Sequence, residues 1–338
     1  MSKASSPLPL RTIVRRFGPA AEVVEVETCE PGRQMPGQVR VRMTARSINP
    51  SDLVTISGAY ASRTPLPFVP GFEGVGIVEE VGEGVADIAA GDRVMPIGSA
   101  GAWQHVKLAE ARWCFRVAPD LSDEEAATSY INPMTAWLML HDRAAAIGPH
   151  SRIAVNAAAS AIGRIIIRMA NRAGAAPVAL VRSAARSRPL LDGLRLSAII
   201  ETGPGGGTGV AEELRKATDG EGPDLALDAV GGGEGELLAL TLKPGGRLIH
   251  YGLLSGVPLP HGLPARRPDV GIELFWLRNW IHAANRARIE QAFATVSRLI
   301  RDGVATSPIE ARYPLEAIRD ALRHEGRQGR AGKILLVG

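Results

Sequence analysis

Cysteine is nearly absent: the 338 residues hold two, Cys29 and Cys114, too few and too far apart for a four-thiolate metal site, and both read as small core or surface residues. Aromatic side chains make up only 4 %, and the 39 Lys and Arg are interleaved with 35 Asp and Glu, so the net charge of +4 forms no basic run. Without a basic stripe or an aromatic platform, nucleic acid is not an expected partner. No apolar run approaches the roughly 20 residues that cross a bilayer, so no membrane partner is expected. Residues 1–16 lack the apolar core and small-residue cleavage site of a secretory leader, so the expected compartment is the cytoplasm. No period of roughly 20 to 50 residues suggests a repeat array.

The G-x-G-x-x-G fingerprint is missing too, although its surroundings are present. Residues 152–183 read RIAVNAAASAIGRIIIRMANRAGAAPVALVRS. An apolar strand at 153–155 enters a run of small residues from Asn156 to Ser160, Gly163 closes it, an apolar helix follows at 165–173, and a second apolar strand at 178–181 ends at Arg182. That order is the strand, turn, helix and strand of a dinucleotide-binding unit, where phosphates meet the free N–H groups of a helix N-terminus. Small side chains from Ala157 to Ala161 leave the backbone approachable, and the Ser160 hydroxyl can donate, so the mechanism survives the loss of the first two glycines. An acid after the second strand would hold a ribose diol; the cation Arg182, with Arg186 and Arg188 beyond it, suits a 2′-phosphate instead.

The length fits two domains. Residues 1–122 are β-rich, with strands expected near 12–14, 23–27, 39–45, 74–82, 92–97 and 103–108, and a proline-rich loop over 49–71. Ser122 followed by Glu125 is a capping box. A buried helix is expected over 134–147, and apolar strands at 225–230 and 247–251 continue a parallel sheet. At 286–301 an amphipathic helix aligns Ile289, Phe293, Val296 and Ile300. The last strand, 332–337, is placed back in the first domain, so residues 123–282 interrupt a fold completed by 283–338, with a cleft between the two as the site.

With these elements in place, the chain resembles the medium-chain dehydrogenase/reductases through GFEGVGIVEEVGEGV (71–85), GDRVMP (91–96), INPMTAWLML (131–140), the nucleotide stretch and LKPGGRLIHYG (242–252). The resemblance implies a GroES-like β-rich domain interrupted by a Rossmann domain with a doubly wound parallel sheet. Zinc-dependent members carry Cys and His ligands where this chain has Asn49 and Phe72, so no metal is expected. Within the zinc-free branch, NPSDLVTISGAY (49–60), NAAASAIG (156–163) and FWLRNW (275–280) are most similar to mitochondrial-type 2-enoyl thioester reductases.

That similarity implies NADPH-dependent reduction of an enoyl thioester. Quinone reduction stays open as the alternative, as does NADPH binding without turnover. It implies Tyr60 as the catalytic tyrosine; a phenol can donate a proton at neutral pH, and this one lies in a loop rich in Gly and Pro. The implied cofactor residues are Asn132 and Thr135, Asn156, Ala159, Ser160, Ala161, Ile162 and Gly163 of the phosphate turn, Arg182 at the 2′-phosphate, Tyr251, Gly252, Leu253 and Leu254, Phe275 and Trp276, and Lys333. The pattern breaks at Ala184, where a second arginine is common, and at Ala159, where an asparagine is. Related enzymes also imply a homodimer, joined where 230–233 and 247–254 bracket the outer strands.

Overall fold

The computed structural model describes residues 8–144, 146–203 and 209–338. Contacts divide the chain into a first unit that runs to Ile131 and takes up Ile281–Arg301 and Thr306–Gly338, and a second unit of Asn132–Trp280 with Asp302–Ala305. Among the described residues no helix is long and apolar enough to cross a membrane.

The first unit opens with an antiparallel pair, β1 (Leu10–Val14) and β2 (Val24–Thr28), followed by β3 (Gln38–Ser47), β4 (Gly74–Val81), β5 (Arg93–Pro96), β6 (Val106–Glu110) and β7 (Cys114–Arg116). β3 shows why the sheet forms: Val39, Val41, Met43 and Ala45 are buried while Arg40, Arg42 and Thr44 point the other way, the period-two alternation of a half-buried strand. Two expectations shift. The strand near 103–108 starts at Val106, because Trp103 is wholly buried and spends its indole N–H on the Ser47 carbonyl at 3.2 Å. The expected loop at 49–71 contains a helix, Pro50–Ile56, with proline at its start and Asp52 reaching back to the Asn49 N–H at 2.8 Å.

The second unit is one parallel sheet of β8 (Ile153–Val155), β9 (Val178–Val181), β10 (Ala198–Glu201), β11 (Leu225–Asp228), β12 (Arg247–His250) and β13 (Gly271–Leu274). Its order is β10-β9-β8-β11-β12-β13, with every pair parallel. β8, β9 and β11 are buried at every position, as strands covered on both faces must be. The buried helix expected over 134–147 runs Ile131–Leu138 and widens into a π-type turn at Met139–Arg143. The expected outer strand at 247–254 is corrected: β13 lies outside β12, so Gly271–Leu274 is one edge of the sheet and β10 the other.

The chain then returns through Arg286–Arg301, whose Ile289, Phe293, Val296 and Ile300 are all buried, to β14 (Ile309–Pro314) and β15 (Lys333–Val337). β15 pairs antiparallel with β3, which completes the order β14-β15-β3-β4-β5-β7, with β6 also on β3. Residues after 122 belong with the first unit as far as Ile131. Arg93 holds Asp123 at 2.7 Å, and the Glu73 carboxylate accepts the Tyr130 and Ile131 N–H groups at 2.6 and 2.9 Å.

Candidate active site

Strand order reverses between β8 and β11, and in an open parallel sheet ligands bind beyond the carboxyl ends of the strands at that point. The small-residue turn leaves β8 there. Ala157 takes the left-handed backbone conformation, φ 46°, that a glycine of the missing fingerprint would supply, at a cost of about 1–2 kcal/mol. Ser160 caps the helix Ala161–Arg172, its Oγ accepting the Gly163 N–H at 3.1 Å. The first helical N–H groups, of Ala161 and Ile162, lie ahead of the intrahelical ladder and keep their donors for an anion. A Cβ on Gly163 would stand 2.6 Å from the Ala158 carbonyl oxygen, so the turn closes only around glycine. These features fit a dinucleotide pyrophosphate.

Beneath the turn lies a cluster that the sequence did not disclose. Asp228, ending β11, is fully buried; its Oδ1 accepts Asn156 Nδ2 at 2.6 Å and the N–H groups of Val230 and Gly231 at 2.9 and 3.0 Å. Its Oδ2 accepts His250 Nδ1 at 2.7 Å. Burial alone would raise this carboxyl, but the hydrogen bonds from His250, Gly231 and Asn156 outweigh it and hold the pKa below the ordinary value. Asn156 accepts the Ala229 N–H at 2.7 Å on its other end, so its side chain braces the sheet. The next residue after β12, Tyr251, has a buried hydroxyl with no partner, and burial, then the charge of Asp228, raises its pKa. An acid ending a fully apolar strand, as in LALD, was the signal available in the sequence.

Gly252 is pinched against β11: an added Cβ would lie 2.7 Å from the Ala229 carbonyl oxygen. Leu253 is half-buried and Leu254 is exposed. Phe275 is buried and continues the β12–β13 ladder through its N–H to His250 O at 2.8 Å; Trp276 beside it is half-buried. On the helix Ile131–Leu138, Asn132 and Thr135 sit three residues apart, both nearly buried, and neither side chain makes a hydrogen bond among the described residues. Two polar groups with open valences on one helix face suit a ligand's amide or ribose.

Arg182 is exposed at the end of β9. An acid stands close by after all, supplied by the neighbouring strand: Glu201, ending β10, accepts the Ala184 N–H at 2.8 Å and holds the start of the helix Ala184–Leu191. Glu234 is also near; burial, with the charge of Asp228, raises its pKa against the Thr202 hydroxyl at 3.0 Å and the charge of Arg182.

In the first unit, Ser57 N–H bonds to Leu53 O and Gly58, at φ 94°, to Thr55 O, which ends the helix Pro50–Ile56. Gly58 packs on Phe17, where a Cβ would come within 3.0 Å of its side chain. Tyr60 follows, half-buried, and opens the single turn Ala61–Arg63 through its carbonyl to Arg63 N at 2.9 Å.

At the other end of that helix lies a buried polar knot. Glu73 Oε2 accepts the Ser47 hydroxyl at 2.6 Å and Asn49 Nδ2 at 2.9 Å; Asp52 Oδ1 accepts the Phe72 N–H at 3.0 Å; Lys333 Nζ donates to Ile48 O at 2.5 Å and Asn49 Oδ1 at 2.8 Å. Burial pushes the Asp52 carboxyl up to about 7, against the N–H groups of Asn49 and Phe72 and the charge of Lys333. Burial also lowers Lys333, against Glu325, Glu73 and Asp52. Lys333, expected at the cofactor, is thus an internal brace of the first unit.

Residues 35–120 match the alcohol dehydrogenase GroES-like domain, and 207–336 match the zinc-binding dehydrogenase domain. The mitochondrial enoyl-[acyl-carrier-protein] reductase of Bos taurus is 32 % identical over 326 residues, covering 93 % of this chain and 85 % of that protein. The chain belongs to the medium-chain dehydrogenase/reductase superfamily. A human synaptic vesicle membrane protein VAT-1 homolog is 30 % identical over 325 residues, covering 89 % of this chain and 79 % of its own. The Escherichia coli quinone oxidoreductase, solved in complex with NADPH, superposes with a TM-score of 0.88 at 25 % identity, covering 97 % of this chain and all of that one. As a medium-chain dehydrogenase/reductase, the chain is an oxidoreductase that takes a nicotinamide cofactor. At the two positions where zinc-dependent members carry ligands, Asn49 has its amide engaged by Ser47, Glu73 and Lys333, and Phe72 offers only a backbone N–H, to Asp52.

Proposed function

We propose that this dehydrogenase/reductase reduces the C=C bond of an α,β-unsaturated thioester with NADPH, with Tyr60 as proton donor. The observation that carries the reading is the turn at 156–163, with Ser160 capping its helix and open N–H groups at the sheet's switch point. When bound, NADPH would supply the hydride that the β-carbon of the enoyl group accepts. The protein's part is to stabilise the charge that develops on the carbonyl oxygen and to deliver a proton to the α-carbon. Tyr60, set on the turn that follows a capped helix and half-buried, supports that role. Asn132, Thr135 and the N–H groups of Ala161 and Ile162 bind and orient the cofactor. Phe275, Trp276 and the apolar side of 131–140 exclude water. Oxidation of NADPH in the presence of crotonyl-CoA is the test; turnover of a simple quinone with none of the thioester would transfer the reading to quinone reduction.

Preference for NADPH over NADH follows from Arg182. A charge-assisted contact to the 2′-phosphate contributes about 1.5–3 kcal/mol, or roughly ten- to a hundred-fold in affinity. Glu201 at the Ala184 N–H acts in the opposite direction and places the expected ratio toward the lower end. Arg182→Ala is expected to erase most of the preference in fluorescence titrations; unchanged discrimination would remove Arg182 from the site.

We also infer a homodimer through the edge strand β13. An unpaired edge invites pairing, and Leu274 on it is 69 % exposed. Light scattering should report a dimer for the wild type and a monomer for Leu274→Asp; a monomeric wild type at micromolar concentration would contradict the assignment.

A further inference from the structure

The Glu73 carboxylate uses both oxygens twice. Oε2 accepts the Ser47 hydroxyl and Asn49 Nδ2, and Oε1 accepts the Tyr130 and Ile131 N–H groups, at 2.6 to 2.9 Å throughout. The residue is 2 % exposed, so none of this is solvated and each bond holds its geometry in a low-dielectric interior. Asn49 is where the helix Pro50–Ile56 begins, and its other contacts, Lys333 to Oδ1 and Asp52 to its N–H, point the same way: the start of that helix is pinned. Seven residues of helix then run to the Gly58 stop, and Tyr60 follows. Ile131 opens the helix Ile131–Leu138, and Tyr130 stands immediately before it.

We propose that Glu73 is a positioning residue for the reaction: its four-way hydrogen bonding locks the start of the helix Pro50–Ile56, which leads into the Tyr60 turn, to the chain at Tyr130 and Ile131, and so fixes where Tyr60 stands. The proposal rests on the reading of Tyr60 as proton donor. Carboxylate chemistry makes it specific. Four donors converge on two oxygens, which suits an ionised carboxylate; glutamine would turn an NH₂ group toward two of those donors and lose both bonds. A displacement of the order of an ångström at a reacting group costs up to about a hundred-fold in rate.

The experiment is a double-mutant cycle on crotonyl-CoA reduction, combining Glu73→Gln with Tyr60→Phe, with NADPH affinity titrated in each variant and folding followed by thermal unfolding. Glu73→Gln is expected to lower kcat by about ten- to a hundred-fold with NADPH affinity within about twofold of wild type, and to have almost no further effect in the Tyr60→Phe background. Ser47→Ala, which removes one donor and keeps the charge, serves where Glu73→Gln does not fold; it is expected to cost about two- to fivefold in kcat, again only when Tyr60 is present. Additive losses, or full activity in either folded variant, would overturn the role of Glu73. Wild-type rates in Tyr60→Phe alone would instead overturn the reading of Tyr60, so the two failures are distinct.

Discussion

Replacing Tyr60 with Phe is expected to lower the turnover of an enoyl thioester by about 10²–10⁴-fold while NADPH affinity stays unchanged. The change keeps the ring and its packing and removes one hydroxyl. Reduction across a C=C bond conjugated to a thioester leaves charge on the carbonyl oxygen and requires a proton at the α-carbon; without a positioned donor both demands fall on water. A quinone differs, because its oxygens take protons from solvent without help. The same variant assayed on a quinone is therefore expected to keep most of its rate. Tyr60 is not among the residues proposed for the cofactor, so NADPH affinity measured beside turnover separates loss of the proton donor from loss of binding. Undiminished thioester turnover in Tyr60→Phe would end its assignment as the donor.

Asp228→Ala is expected to destabilise the protein by about 3–5 kcal/mol, the loss that follows when one partner of a buried, hydrogen-bonded charge is removed. Asn156 Nδ2, the His250 ring and the Val230 and Gly231 N–H groups would all lose their acceptor inside the end of the sheet. Thermal unfolding should show a drop of roughly ten degrees or more in Tm. The pH dependence has a definite sign. The folded pKa of Asp228 lies below its ordinary 3.8, so the stability it contributes is full above that value and is lost as pH falls through the lowered one. The gap between wild type and variant should accordingly narrow on acidification below about pH 4. A gap that widens there, or a variant as stable as wild type at neutral pH, would show that the carboxylate does not hold the three strand ends together.

Local pattern was enough for much of this protein. The apolar runs at Ile153–Val155 and Val178–Val181, the helix Arg286–Arg301, the return of the last strand to the first sheet and the Ser160 turn were legible because burial periodicity, capping and turn chemistry act over a few residues. Tyr60 and Arg182 were singled out by family motifs, and their roles are the proposals made above. The helix Pro50–Ile56 was hidden by the prolines and glycines of 49–71, since its stability comes from Asp52 capping Asn49 and from the buried contacts of that asparagine.

Only the tertiary structure decided the partners. Asp228 meets Asn156 across 72 residues because β8 and β11 are adjacent and parallel, and Glu201 reaches Ala184 because β10 lies beside β9. The same holds for Lys333, whose ammonium crosses 284 residues to Asn49, and for the sheet's edges, which fall on β10 and β13 only once strand order is known. Sheet register sets which chain ends share a floor, and register is a property of the whole packed sheet; no stretch of sequence carries it alone.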